Sequence, residues 1–181
     1  NWLGTKRSVM VNSGTSGNYI SIAIVKELLG IGEVIVPPLG WVSDISSVTQ
    51  LGMTPVFVDV SMDNLSITSE NIKNAITDKT KAIVCVHLAG WPCDMDEIMA
   101  IANEHDLYVI EDCAQAHGAK YKGKPVGSIG HIGCWSFCQD KIMTTGGEGG
   151  MVTTNDESLW RKMWAYKDHG KGYEAVYERE H

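Results

Sequence analysis

Residues 135–150 read W-S-F-C-Q-D-K-I-M-T-T-G-G-E-G-G. One lysine, Lys141, stands between a short apolar run and four glycines: Gly146, Gly147, Gly149 and Gly150. Glycines at that density allow positive φ and let backbone approach another group closely. A lysine beside such a turn has two readings. The commoner one is a solvated surface cation. The other is a desolvated amine that attacks a carbonyl and forms a Schiff base, since burial lowers its pKa and frees its lone pair.

Other residues bear on the choice. Glu111 and Asp112 close the apolar run L-Y-V-I of residues 107–110, and Gln115 follows three positions later. Residues 13–18, S-G-T-S-G-N, precede an apolar-periodic segment, 19–29, that stops at Gly30. This is a helix amino terminus, where free N–H groups and the helix dipole favour an anion. It has neither the G-K-[ST] ending of a Walker loop nor the G-x-G-x-x-G spacing, and an ordinary Ser/Thr-capped helix is the plain alternative.

The elements that position these residues alternate. Strands are expected at 33–36, 55–60, 81–87, 107–112, 132–137 and 150–154. Helices are expected at 19–29, 42–51, 69–76, from Asp94 onward, and at 158–168. Asp94 and Glu97 form a capping-box-like pattern, and residues 119–126 read as a hairpin or loop turning at Gly123 and Pro125. The alternation predicts a three-layer α/β fold: a mostly parallel sheet with helices on both faces. Ligands of such sheets bind beyond the carboxyl ends of the strands, where Trp41, Asp112, Ser136 and Lys141 fall.

The chain has 181 residues, 44% hydrophobic and 20% charged, with a formal net charge of −7. That charge disfavours a general nucleic-acid or anionic-membrane binder, although a locally positive site can still take an anionic substrate. No apolar run approaches membrane-spanning length, and no signal peptide is visible at this amino end. The five cysteines include no C-x-x-C pair, which suggests reduced core thiols of a cytoplasmic protein; zinc held by Cys93 with His87 is a minor alternative. The chain starts at Asn1 without methionine and stops at Glu180-His181 after a charged, helix-like segment. It reads as a piece of a longer protein.

A pyridoxal phosphate site needs an amine for the aldehyde and a carboxylate for the pyridine nitrogen. It also needs donors for the phosphate and an aromatic face over the ring. The chain supplies a candidate for each. Lys141 is the amine and Asp112 the carboxylate. Gly14, Thr15, Ser16 and Ser136 form the phosphate cup, Trp41 is the lid, and Gln115 is a partner for the ring oxygen. Each also has a plain reading: Asp112 as a turn cap with Glu111 the functional acid, Trp41 as core, and His117 and His169 as packed or solvated.

These residues lie in stretches that resemble the DegT/DnrJ/EryC1/StrS family, the pyridoxal-phosphate sugar aminotransferases of fold type I. The matching pieces are S-G-T-S at 13–16, P-P-L-G-W at 37–41 and V-H-L-A-G-W-P-C-D-M-D at 86–96. With them come E-D-C-A-Q-A-H-G at 111–118, the W-S-F…K…G-G-E-G-G core, and D-H-G at 168–170. They follow the family's order over nearly the whole chain. The resemblance implies that Lys141 bears the cofactor, Asp112 pairs with the pyridine nitrogen, Gln115 contacts the ring oxygen, and Thr15, Ser16 and Ser136 hold the phosphate. Trp41 stands where the family often has Phe or Tyr, and Ser16 where alanine is usual.

The same resemblance implies transfer of an amino group, usually from glutamate, to a nucleotide-linked keto-sugar for polysaccharide or secondary-metabolite assembly. Members with histidine at the lysine position act as dehydratases, a branch Lys141 argues against. Residues 1–181 would then be an incomplete cofactor-binding large domain, lacking the small carboxy-terminal domain, of a homodimer whose partner completes the site. Two alternatives keep the cofactor: another lysine-dependent fold-type-I enzyme acting on amino acids, and a regulatory protein without turnover.

Overall fold

The computed structural model describes residues 2–178; Asn1 and residues 179–181, the ends on which the reading as a piece of a longer protein rests, lie outside the described residues. Runs of β-branched residues build the centre of the sheet. β2 (Glu33–Val36), β4 (Thr80–Val86) and β5 (Tyr108–Asp112) are buried on both faces, as parallel strands covered by helices must be. Alternate side chains serve opposite cores: Val34, Val36, Ala82 and Val84 point to one, Ile35, Ile83 and Cys85 to the other.

β3 (Thr54–Phe57), β8 (Ile132–Ser136), β9 (Gly150–Thr154) and β1 (Arg7–Val11) complete a seven-stranded sheet in the order β1-β9-β8-β5-β4-β2-β3. The five strands from β3 to β8 are parallel, whereas β9 runs antiparallel to both its neighbours. The expected three-layer, mostly parallel α/β fold is the observed one. β1 was not among the expected strands. Only Val9 of R-S-V-M-V is fully buried, so this edge strand shows little apolar signal.

Helices α1 (Gly14–Leu29), α2 (Val42–Gln50) and α5 (Glu157–Lys167) cover one face through Ile20, Ile24, Val48, Leu159 and Met163. α3 (Ser69–Ala75) and α4 (Met95–Glu104) cover the other through Ile72, Met95, Ile98 and Ile101. α6 (Tyr173–Tyr177) lays Tyr173 against Trp160 and Trp164 of α5. Side-chain caps start three helices: Ser13 accepts from Ser16, Thr68 from Asn71, and Asp156 from Ser158 and Leu159.

Asp94 sits at the amino end of α4 but makes no side-chain cap, because its carboxylate is taken by the Tyr121 hydroxyl. A stronger tertiary partner displaces the local one. The hairpin does form, from β6 (Lys120–Tyr121) and β7 (Lys124–Pro125), with Lys122 and Gly123 both at positive φ.

Candidate active site

Five chain segments deliver polar residues to one edge of the sheet, and the direction of each strand decides which. β1, β2, β5 and β8 end at this edge, leading into the start of α1, Trp41, Asp112 and Lys141 respectively. β9, running the other way, begins there at Gly150. The helix start is pressed against two strands: a Cβ on Gly14 would lie 2.7 Å from that of Ser136, and one on Gly150 would lie 2.3 Å from the Ser13 carbonyl oxygen. Both positions therefore require glycine. Of the four glycines after Lys141, only Gly146 uses positive φ, at 79°.

Between these segments lies a cavity of about 280 Å³ lined by Gly14, Thr15, Trp41, Asp112, Gln115, Ser136 and Lys141. That size is at the small end of ligand pockets. At its floor Asp112 is buried. Its Oδ1 accepts from the Ala114 N–H at 2.8 Å and its Oδ2 from the Asn18 amide at 3.2 Å. Among the described residues no lysine, arginine or histidine forms an ion pair with it. A buried carboxylate satisfied only by neutral donors is suited to a cationic ligand group.

The adjacent Glu111 faces the other side of the sheet. Successive strand residues face opposite sides, so Glu111 points away from the cavity. Its Oε1 accepts from the N–H groups of Ile129 and Gly130, at 2.9 and 2.6 Å; its Oε2 accepts from Gly127 N–H at 2.8 Å and from His87 Nε2 at 3.0 Å. The His87 Nδ1 takes the Cys93 N–H at 3.1 Å, which puts the ring proton on Nε2. Cys93 Sγ in turn donates to the Val86 carbonyl at 3.2 Å. His87, Glu111 and Cys113 bring ligand-type atoms within 4.8 Å of one another; both His87 nitrogens and both Glu111 oxygens are engaged in hydrogen bonds, and the Cys113 and Cys93 thiols donate to the Glu111 and Val86 carbonyls.

Lys141 is half-buried, with Nζ 3.5 Å from Asp140 Oδ1. The Cys138 thiol, then the Lys141 charge, holds the Asp140 carboxyl below the usual carboxylate range. Gln115 is anchored: its Oε1 accepts from the Ala89 N–H at 2.7 Å, in a turn where Ala89 adopts φ of 52°. With its oxygen committed, Gln115 presents Nε2 as a donor. Trp41, 70% exposed, stands at the cavity mouth as the residue preceding α2, so it is not core.

At the start of α1, Ser16 and Gly17 N–H groups are used by the Ser13 hydroxyl and carbonyl. The N–H groups of Gly14 and Thr15 are the two in the first turn that no capping bond uses. Ser16 departs from the expected set. Its N–H serves the cap, its hydroxyl donates to Asn12 Oδ1 at 2.5 Å, and it lines a separate shallow groove with Met10, Tyr19 and Tyr166. The helix rotation carries it off the cavity.

His117 packs between Trp135 and Phe137, and burial lowers its pKa. His169 is exposed, in the left-handed turn after α5. Asn18, Ser43 and Asp44, outside the expected set, are buried, and the Asn18 amide reaches Ser43, Asp44 and Asp112. An asparagine one turn into an otherwise apolar helix face was the signal available for the first.

The model of the DegT/DnrJ/EryC1/StrS aminotransferase family matches residues 1–181. GDP-perosamine synthase of Escherichia coli O157:H7 is 42% identical over 92% of this chain and 47% of its own length. A UDP-N-acetyl-3-dehydro-alpha-D-glucosamine 3-aminotransferase of Acidithiobacillus ferrooxidans is 45% identical over 92% of this chain and 45% of its own. The crystal structure of an aminotransferase from Psychrobacter cryohalolentis superposes with a TM-score of 0.96 at 64% identity, covering 99% of this chain and 45% of that one. The chain thus spans about half the length of the relatives it matches.

Proposed function

Since the chain belongs to the DegT/DnrJ/EryC1/StrS aminotransferase family, whose members depend on pyridoxal phosphate, we propose that the protein carrying it moves an amino group from an amino acid to a nucleotide-linked keto-sugar. Glutamate is the proposed donor. The observation that carries this reading is the pairing, on one cavity, of a lysine with a buried carboxylate that has no cation of its own. The names of the two relatives, both acting on nucleotide-linked sugars, favour it over a reaction confined to amino acids.

The donor set fits the cofactor. Asp112 would hold the pyridine nitrogen, and Gln115 would donate Nε2 to the ring oxygen, its own oxygen being pinned by Ala89. Thr15, Ser136 and the N–H groups of Gly14 and Thr15 would take the phosphate at the positive end of α1. Trp41 would cover the ring face. Bound there, pyridoxal phosphate supplies an electron sink that stabilises negative charge at the donor's α-carbon.

The chain's own part is acid–base work and positioning. Lys141 would bind the cofactor through its amine. An ammonium paired with Asp140 must first lose its proton to attack a carbonyl, and partial exposure gives it that route. Once free, Lys141 Nζ would carry the proton from the donor's α-carbon to the cofactor's C4′ carbon, general acid–base work worth about 10²–10⁴-fold in rate. The buried floor at Asp112 keeps water from competing for the ring nitrogen. A second subunit is proposed to complete the site, as a homodimer.

The test is borohydride reduction of the full-length protein after addition of pyridoxal phosphate, with mass mapping of the labelled peptide. The label is expected on Lys141; a folded protein labelled elsewhere, or not at all, would sink the assignment. Amination of a nucleotide-linked keto-sugar, against a free keto acid alone, then decides the acceptor.

A further inference from the structure

Behind the cavity floor the structure brings a second carboxylate to Asp112. Asn18, in the second turn of α1, reaches with one amide nitrogen to Asp44 Oδ1 at 2.7 Å, to Asp112 Oδ2 at 3.2 Å and to Ser43 Oγ at 3.2 Å. The amide has two hydrogens. One serves each carboxylate, while Ser43 can orient its own hydroxyl. Asp44 is 2% exposed and Asp112 6%, so two acidic groups from α2 and β5 share one strap with little solvent exposure.

Their surroundings differ. Asp112 accepts from two N–H donors and faces the cavity. Asp44 Oδ1 accepts from Asn18, while its Oδ2 is buried with no hydrogen-bond partner among the described residues; the pull of the Trp41 backbone and of Asn18 toward its charged form is smaller than the opposing effect of burial. That oxygen lies against Gly40, where an added Cβ would sit 3.1 Å from it and 3.3 Å from a Val86 methyl. Among the described residues no lysine, arginine or histidine forms an ion pair with Asp44. The titratable groups facing it are Asp112 from β5 and the Cys134 thiol from β8, itself pushed up by burial and so neutral. Two carboxylates this close in a buried site do not both ionise; one keeps a proton.

We propose that Asp44 is the protonated member of an Asp44–Asn18–Asp112 unit and a positioning residue for Asp112, keeping one negative charge, not two, beneath the cavity. The part that concerns a ligand rests on the cofactor reading above; the proton itself does not. Burial first, and then the charge of Asp112, raises the Asp44 carboxyl well above the usual range. A single charge matches a single pyridinium. Loss of the Asp44 proton to solvent at alkaline pH would put a second charge beside Asp112 and bind that cation more tightly.

The proton has consequences in the full-length apoprotein. Unfolded, Asp44 ionises near its ordinary value of 3.8; folded, it stays neutral well above it. Folding therefore takes up a proton, and its cost grows with pH above the unfolded value. Asp44→Asn removes that cost. The Tm of the Asp44→Asn apoprotein, relative to wild type, should rise steadily as pH is raised from about 4. The infrared carbonyl stretch of a neutral carboxylic acid should be present in wild type at neutral pH and missing in the variant. A Tm difference that stays flat with pH, or an unchanged carboxylic acid band, would overturn the proposal.

Asp44→Thr, a shorter neutral residue, serves as the second variant and should give the same pH trend even if its absolute stability is lower. With pyridoxal phosphate bound, the wild-type absorption spectrum should show an alkaline transition that Asp44→Asn lacks, and a transition kept in the variant counts against the proposal. Failure of the cofactor to bind would remove the function proposed above, while the two apoprotein readouts would still decide the state of Asp44.

Discussion

Glu111 and Asp112 are neighbours on one strand, both buried, both carboxylates, and they do opposite work. Glu111 is saturated by four N–H donors, three of them backbone groups of residues 127–130. It ties a loop to the sheet and has nothing left to offer a ligand. Asp112 has two neutral donors and an open cavity in front of it. A fully satisfied acid has nothing to offer a ligand, whereas an under-satisfied one keeps acceptor capacity for one.

The largest effect that tests this contrast is on stability. Glu111→Ala would leave three backbone N–H groups and the His87 N–H buried without an acceptor, a loss of about 3–5 kcal/mol. Urea unfolding of the full-length protein measures it, and a cost under about 1 kcal/mol would show that the loop does not depend on this acid. Asp112→Asn should cost less: its remaining carbonyl can still accept from Ala114, and only the Asn18 amide loses its acceptor, so stability should fall by about 1–3 kcal/mol. The rate of the proposed amino transfer should fall about 100-fold or more, because the preorganised charge is lost. A variant with near-normal turnover would return Asp112 to the role of a turn cap.

The smallest effect sharpens the Glu111 side. His131 Nδ1 accepts from the Val109 N–H at 2.9 Å, and burial lowers the ring's pKa despite some opposing pull from Asp156. A histidine depressed in the folded state contributes stability above its unfolded value of 6.5, and that stability is lost as pH falls below it. Tm should therefore drop on mild acidification, less so in His131→Gln. An equal drop in both would assign the acid sensitivity elsewhere.

Much of this was legible in the residues. The buried runs at 33–36 and 108–112, the caps at Ser13, Thr68 and Asp156, and the glycine stops fall where local physics puts them. The candidates Gly14, Thr15, Trp41, Asp112, Gln115, Ser136 and Lys141 meet on one cavity because each follows or precedes a strand end. Ser16 does not join them, since the cap it serves turns it away. Edge strand β1 escaped notice because a strand with a single fully buried side chain carries almost no periodic signal.

By itself, then, the sequence determined the alternation of elements, the family, and the kinds of group available for chemistry, because these depend on local propensity and on order along the chain. Only the tertiary structure decided which of two adjacent carboxylates faces the cavity, where Asp94 spends its charge, and that Asn18 straps Asp44 to Asp112 from 26 and 94 residues away. The reason is physical. Strand phase, burial and donor counts are properties of contacts between segments distant in sequence, and a carboxylate's role follows from how many donors those contacts leave it.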